Sequence, residues 1–160
     1  DPQYLSWKLQ SLNYETRFIN LASEINAGMP QYVVDKLSKT LDNYGKALIE
    51  SNILIIGVAY KRNVKDVRDS PAIDVIHLLK EQGAIVSYHD PLVDTLTVNE
   101  TEMSSIKLNR AALNKADCVT IITDHSSINW EWIVKNSNLI LDTRNATKNI
   151  LPTNTPIVKL

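Results

Sequence analysis

The chain has 160 residues, 44% hydrophobic and 22% charged, and its 17 Lys and Arg are nearly balanced by 18 Asp and Glu. A net charge of −1 gives no global attraction to nucleic acid or an anionic membrane, so any anion site must be local. The single cysteine excludes an intrachain disulfide and fits a reducing compartment such as the cytoplasm, and no apolar run approaches the ~20 residues of a membrane-spanning helix.

Residues 3–50 read as helical. Phe18, Leu21, Ala22 and Ile25 recur at helical spacing and form one apolar stripe. Gly28-Met-Pro30 interrupts it; Pro30 either opens a new helix or kinks a single long one. Val33, Val34, Leu37 and Leu41 resume the stripe. So many apolar side chains ahead of the first strand need a packing partner: the following domain, another part of the protein, or a second copy of the chain.

From Asn52 the pattern changes. Ile53–Ile56 is a continuous apolar run, the mark of a strand covered on both faces. Residues 71–82 follow as a helix with a wide apolar side, stopped at Gly83. Residues 84–88 form a second strand, ended at Pro91 because proline cannot continue a central ladder. Residues 104–115 are expected to be helical, 118–122 a third strand, 127–135 a short helix and 139–141 a fourth strand, with Ile157-Val158 as an edge strand. Alternating strands and helices imply an α/β fold, a Rossmann-like, doubly wound, mainly parallel sheet preceded by a helical segment. The expected division is a helical segment over residues 1–50 and an α/β domain over 51–160. Ligands of such sheets bind beyond the carboxyl ends of the strands, which directs attention to the loops after Ile56, Tyr88, Ile122 and Leu141.

The first of these loops is the most informative. Gly57-Val-Ala-Tyr-Lys61 follows the buried run and precedes Asp66-Val-Arg-Asp-Ser-Pro71. The glycine gives room for close approach, Lys61, Arg62, Lys65 and Arg68 bring positive charge, and a helix opens at Ser70-Pro71 with its N–H groups and dipole. That order suits a phosphorylated ligand. Arg144 ends another strand, where a guanidinium can fork onto a diphosphate; the plainer reading is an ion pair with Asp142. Arg68 has a similar plain reading, pairing with Asp66 or Asp69. Ser70 most simply caps its helix.

Cys118 lies inside a strand with no basic neighbour and is rejected as a nucleophile. Three histidines and one cysteine without zinc-type spacing argue against a metal. His89-Asp90 and Asp124-His125 are read as shaping loops and capping helices, and Trp130 and Trp132 as packing anchors.

Taken together, Gly57-Val-Ala-Tyr-Lys61, Asp66-Val-Arg-Asp-Ser-Pro-Ala72, Tyr88-His-Asp-Pro91 and Asp142-Thr-Arg144 resemble the C-terminal part of the UDP-glucose/GDP-mannose dehydrogenase family. Asp1-Pro-Gln-Tyr-Leu-Ser-Trp-Lys8 and Glu24-Ile-Asn26 with Met29-Pro30 resemble the helical middle of those NAD-dependent nucleotide-sugar 6-dehydrogenases. The wording is most similar to members that oxidise UDP-N-acetylhexosamines. The resemblance implies oxidation of the sugar C6 alcohol to a carboxylate in two NAD-dependent steps through a cysteine adduct.

It also implies that Tyr60, Lys61 and Arg144 bind the UDP-sugar, that Tyr4 and Leu5 line the sugar pocket, and that Arg68 faces the NAD side of the cleft. For Tyr4 and Leu5, core packing is an equally good account. Asp1 matches a carboxylate that orders active-site water and proton transfers. NAD is expected to be bound mainly by an N-terminal domain outside this chain, and the nucleophilic cysteine to precede Asp1, so that this chain alone would not turn over substrate. Residues 15–43 are expected to carry a homodimer contact; no nucleic acid or membrane partner is expected. A competing reading is a non-catalytic module that binds a nucleotide and dimerises. A stand-alone flavodoxin-like signalling domain fits the alternation but leaves the basic loop unexplained.

Overall fold

The computed structural model describes residues 2–12 and 15–160. Two helices lead, α1 (Pro2–Gln10) and α2 (Arg17–Asn43). The α/β unit follows as β1 (Asn52–Ile56), α3 (Pro71–Glu81), β2 (Ile85–His89), β3 (Thr95–Val98), β4 (Thr101–Ser104), α4 (Arg110–Lys115), β5 (Cys118–Ile121), α5 (Trp130–Asn136), β6 (Ile140–Asp142) and β7 (Ile157–Lys159). The main sheet has the order β2-β1-β5-β6-β7, and every pairing in it is parallel. The chain leaves β1 for one side, at β2, and then crosses to the other side, at β5. This reversal opens a crevice beyond the carboxyl ends of β1 and β5, the position where doubly wound sheets take ligands.

Burial on both faces follows from the strand sequences. Ile53 and Ile55 point to one side with Tyr88, Cys118 and Leu141, under α2, α3 and the small hairpin. Leu54 and Ile56 point to the other side with Val119, Ile121 and Ile140, under α4 and α5. A period of two on a strand covered by helices gives this continuous apolar run.

Helix α3 begins as its sequence requires. The Ser70 side chain accepts a hydrogen bond from the Ala72 N–H at 3.3 Å, and Pro71 takes the first helical position. Ser70 Oγ also donates to the Val58 carbonyl at 2.8 Å, which ties the helix cap to the loop after β1.

Of the two readings of Pro30, the single long helix holds: Pro30 lies inside α2 and is itself buried. The C-terminal half of α2 packs through Val33, Val34, Leu37 and Leu41 into the same core as β1, and this burial outweighs the proline's local cost. Residues 44–51 leave the helix in turns.

The expected helix over 104–115 is confined to Arg110–Lys115: Ser104 ends the antiparallel β3–β4 hairpin, and residues 105–109 run without helix to the Asn109 cap. Asn99 and Glu100 at its tip both have positive φ, 46° and 62°, the conformation of a type I′ turn. The hairpin lays Leu96 and Val98 on the α3 side of the core. The remaining strands and helices lie within a few residues of their expected bounds.

Candidate functional site

Three strand ends build the crevice. After β1 the chain turns at Gly57, whose φ is 80°, and its N–H donates to the His89 carbonyl at 2.9 Å. A Cβ on Gly57 would lie 2.8 Å from Thr123 C and Cβ, and closer still to the Thr123 carbonyl oxygen. The glycine therefore serves the approach of the β5 loop. The loop then carries Tyr60, Lys61 and Arg62 outward and returns with Tyr60 N–H bonded to the Asp66 carbonyl at 2.7 Å.

Lys61 and Arg144 line one cavity of about 380 Å³, together with Tyr60, Arg62, Pro71, Ile122 and Thr123. Lys61 Nζ sits 5.4 Å from the Tyr60 ring centroid, within cation–π range. Among the described residues Lys61 makes no ion pair. A second cavity of about 470 Å³ shares Tyr60, Pro71, Ile122 and Arg144 and extends toward Met29, Pro30 and Val33 of α2. The crevice is thus cationic at one end and largely apolar at the other.

Arg144 is set by the strand end before it. Asp142 is buried, and its carboxylate accepts from the N–H groups of Arg144, Ala146 and Thr147 at 2.9–3.1 Å and from the Thr147 hydroxyl at 2.7 Å. Burial pushes the Asp142 carboxyl up, but these donors outweigh it and hold it below its usual value. The plainer alternative, an Arg144–Asp142 ion pair, is not formed: Asp142 takes the backbone N–H, and the guanidinium turns to Asp124, Nε to Oδ1 at 3.5 Å. Asp124 also pairs with Arg62 through its other oxygen. One buried carboxylate therefore joins the two arginines across the crevice. Sequence reading took Asp124 as a shaper of its loop and missed that it bridges two arginines; its position just past a strand end was the available signal.

The other expected site residues are placed differently. Arg68 is exposed and grips Asp66 with Nε–Oδ1 at 3.0 Å and Nη2–Oδ2 at 2.7 Å. That pair holds Asp66 down at about 2. Arg68 lines neither cavity. Tyr4 and Leu5 are 67% and 49% exposed on α1, so neither packs in the core of the described residues, and they line neither cavity. Asp1 lies outside the described residues.

Cys118 is fully buried, and burial pushes its thiol up to about 12, as an inert strand thiol requires. Among the described residues no three or more His, Cys, Asp or Glu side chains gather as a metal site would need. Trp130 and Trp132 pack against the α4–α5 side of the core. His89 Nδ1 bonds the Ile106 carbonyl at 2.9 Å, and Asp90 ties several loops together.

A parallel doubly wound sheet with a cationic crevice at its switch point defines a ligand-binding α/β domain. Residues 54–149 match the family described as the UDP-glucose/GDP-mannose dehydrogenase family, UDP binding domain. The chain belongs to this family. It is 34% identical over 121 residues to UDP-N-acetyl-D-mannosamine dehydrogenase of Methanococcus maripaludis, covering 76% of this chain and 26% of that protein. It is 30% identical over 125 residues to UDP-N-acetyl-D-glucosamine 6-dehydrogenase of Salmonella typhi, covering 78% and 29%. The solved UDP-D-ManNAc dehydrogenase of Pyrococcus horikoshii superposes with a TM-score of 0.77 at 27% identity, covering 94% of this chain and 35% of that one. The chain therefore spans about a quarter to a third of the length of the relatives it matches.

Proposed function

We propose that this chain is the nucleotide-sugar-binding part of an NAD-dependent UDP-sugar 6-dehydrogenase, and that its crevice clasps the diphosphate between Lys61 and Arg144. The observation that carries this reading is the single cavity shared by the two cations beyond the carboxyl ends of β1 and β6. An ammonium and a guanidinium on a diphosphate form charge-assisted hydrogen bonds, roughly twice as strong as neutral ones. Tyr60 lies between the two cavities and would pack on the ligand, with the apolar extension toward α2 taking its less charged part. The substrate class is a UDP-hexose, with a UDP-N-acetylhexosamine favoured by the names of the similar proteins.

NAD, when bound, would accept the hydride from the sugar C6. Glycines 28, 45, 57 and 83 lie too far apart for a G-x-G-x-x-G turn, which supports NAD being held mainly outside this chain. Its own residues bind and orient the nucleotide-sugar. The Arg68 contact to NAD and the roles of Asp1, Tyr4 and Leu5 rest on the resemblance alone.

The exposed stripe of α2, with Phe18 at 89%, Leu21 at 53% and Ile25 at 57%, supports a homodimer through residues 15–43. Among the described residues no helix is long and apolar enough to cross a membrane, and the cytoplasm is the proposed compartment.

Calorimetric titration with UDP tests the proposal. Lys61→Ala and Arg144→Ala should each weaken binding by about tenfold or more, the loss of one charge-assisted contact of about 1.5–3 kcal/mol. Failure of UDP to bind at millimolar concentration, with neither substitution changing anything, would defeat it.

A further inference from the structure

The loop that presents Tyr60, Lys61 and Arg62 has no secondary structure of its own, yet it is held at both ends by one buried pair. Asp90 Oδ2 accepts from the Val58 N–H at 2.7 Å and the Ala59 N–H at 3.1 Å, immediately before the loop's exposed residues. His125 Nδ1 accepts from the Asn63 N–H at 2.9 Å, immediately after them. The two anchors are joined, His125 Nε2 donating to Asp90 Oδ2 at 3.0 Å, with both side chains shut off from solvent. The Asn63 side chain adds a second tie, exchanging hydrogen bonds with Ser126 N–H and Oγ at 2.9 and 2.8 Å.

These partners define the ring. A backbone N–H aimed at Nδ1 requires a lone pair there, so the proton is on Nε2 and the imidazole is neutral. The remaining Asp90 oxygen takes the N–H groups of Leu92 and Val93 at 2.9 and 3.2 Å. All of its capacity is spent on loop backbone and on His125. Neither Asp90 nor His125 lines the cavity shared by Lys61 and Arg144.

We propose that His125 is a positioning residue for Lys61: as a neutral imidazole bridging Asp90 and the Asn63 N–H, it suspends residues 60–62 between two fixed points so that the Lys61 ammonium faces the diphosphate site. The proposal rests on the clasp reading above for what Lys61 meets, but not for how the loop is held. Preorganisation of this kind lowers the ordering cost of binding, so its loss appears as lost affinity where Lys61 is present and not where it is absent.

The test has two arms on the 160-residue chain. In the first, UDP affinity is measured by calorimetry for the unmodified chain, His125→Ala, Lys61→Ala and the double variant. His125→Ala is expected to weaken binding about tenfold with Lys61 present and less than about threefold in the Lys61→Ala background. His125→Asn, which keeps an acceptor near the Nδ1 position but not the Nε2 donor to Asp90, is expected to lose less affinity than His125→Ala and covers the case in which His125→Ala does not fold. Equal losses in both backgrounds, or no recovery with asparagine, overturn the proposal.

In the second arm, nitrogen-15 NMR of the unmodified chain at neutral pH reads the tautomer without any ligand. A protonated Nε2 and bare Nδ1 are expected; a proton on Nδ1 overturns the anchor. If UDP does not bind at all, the clasp reading fails and this arm still decides the role of His125.

Discussion

Replacing Gly57 with alanine separates two costs that a positive-φ glycine can carry. Gly45 and Gly57 have similar backbone angles, φ 72° and 80°, but different surroundings. A Cβ at Gly45 would meet nothing within 4 Å, whereas one at Gly57 would overlap the Thr123 carbonyl and lie 2.8 Å from Thr123 Cβ. Gly45→Ala should therefore pay the left-handed backbone penalty alone, about 1 kcal/mol. Gly57→Ala adds the displacement of a strand end, an overpacking cost of about 1–3 kcal/mol.

Thr123 cannot move freely, because its hydroxyl donates to the Ala59 carbonyl at 2.7 Å and its N–H reaches the Ile56 carbonyl. The sum for Gly57→Ala is about 3 kcal/mol, or a fall in Tm of about 6–12 °C for a chain of this size. Gly28→Ala supplies the opposite sign: the site is open and helical, so the better helix former should stabilise by about 0.5–1 kcal/mol. Urea unfolding of the three variants, analysed at constant m-value, measures the series. If Gly57→Ala and Gly45→Ala agree within about 0.5 kcal/mol, well below the overpacking cost, the close approach of Thr123 is not what the glycine serves.

Other consequences can be checked directly. Cys118 should resist a thiol reagent at pH 8 in the folded chain and react fully after denaturation, since its thiol is buried and pushed up to about 12; labelling of native protein would contradict the packing of β5. Asp90 and Asp142 both have folded-state values below their ordinary 3.8, so the stability they contribute is complete above that pH and is lost as pH falls through the depressed values. Unfolding free energy should accordingly fall below about pH 4, and Asp142→Asn should flatten that fall while costing about 1–3 kcal/mol at pH 7. Phe18→Ser with Leu21→Ser should convert the proposed dimer to a monomer by sedimentation and remove any dependence of Tm on protein concentration, because both side chains are exposed in the single chain.

Much of the architecture could be read from local patterns. Ile53–Ile56 declares a strand covered twice, and Ser70, Pro71 and Gly83 bracket α3 as caps and stops do. Pro30 left two readings open by local rule; the long helix wins because the side chains after it are buried against the sheet, a tertiary energy that no window of sequence contains. The β3–β4 hairpin was missed although Thr95-Leu-Thr-Val98 alternates, because Asn99-Glu100 lacks the glycine that usually announces such a turn.

At the site, Lys61 and Arg144 were visible as cations at strand ends. The bridge that Asp124 makes between Arg62 and Arg144 was not, because its partners lie 62 and 20 residues away in the chain and meet only when β1, β5 and β6 align. The Asp90–His125 pair, 35 positions apart, was legible as a shaper of loops but not as a link between them.

The central claim concerns where a diphosphate sits. A crystal structure of the chain with UDP bound should place phosphate oxygens within hydrogen-bond distance of both Lys61 Nζ and the Arg144 guanidinium, in the cavity floored by Ile122 and Thr123. A nucleotide bound elsewhere on the domain, with Lys61 and Arg144 both left in solvent, would contradict it.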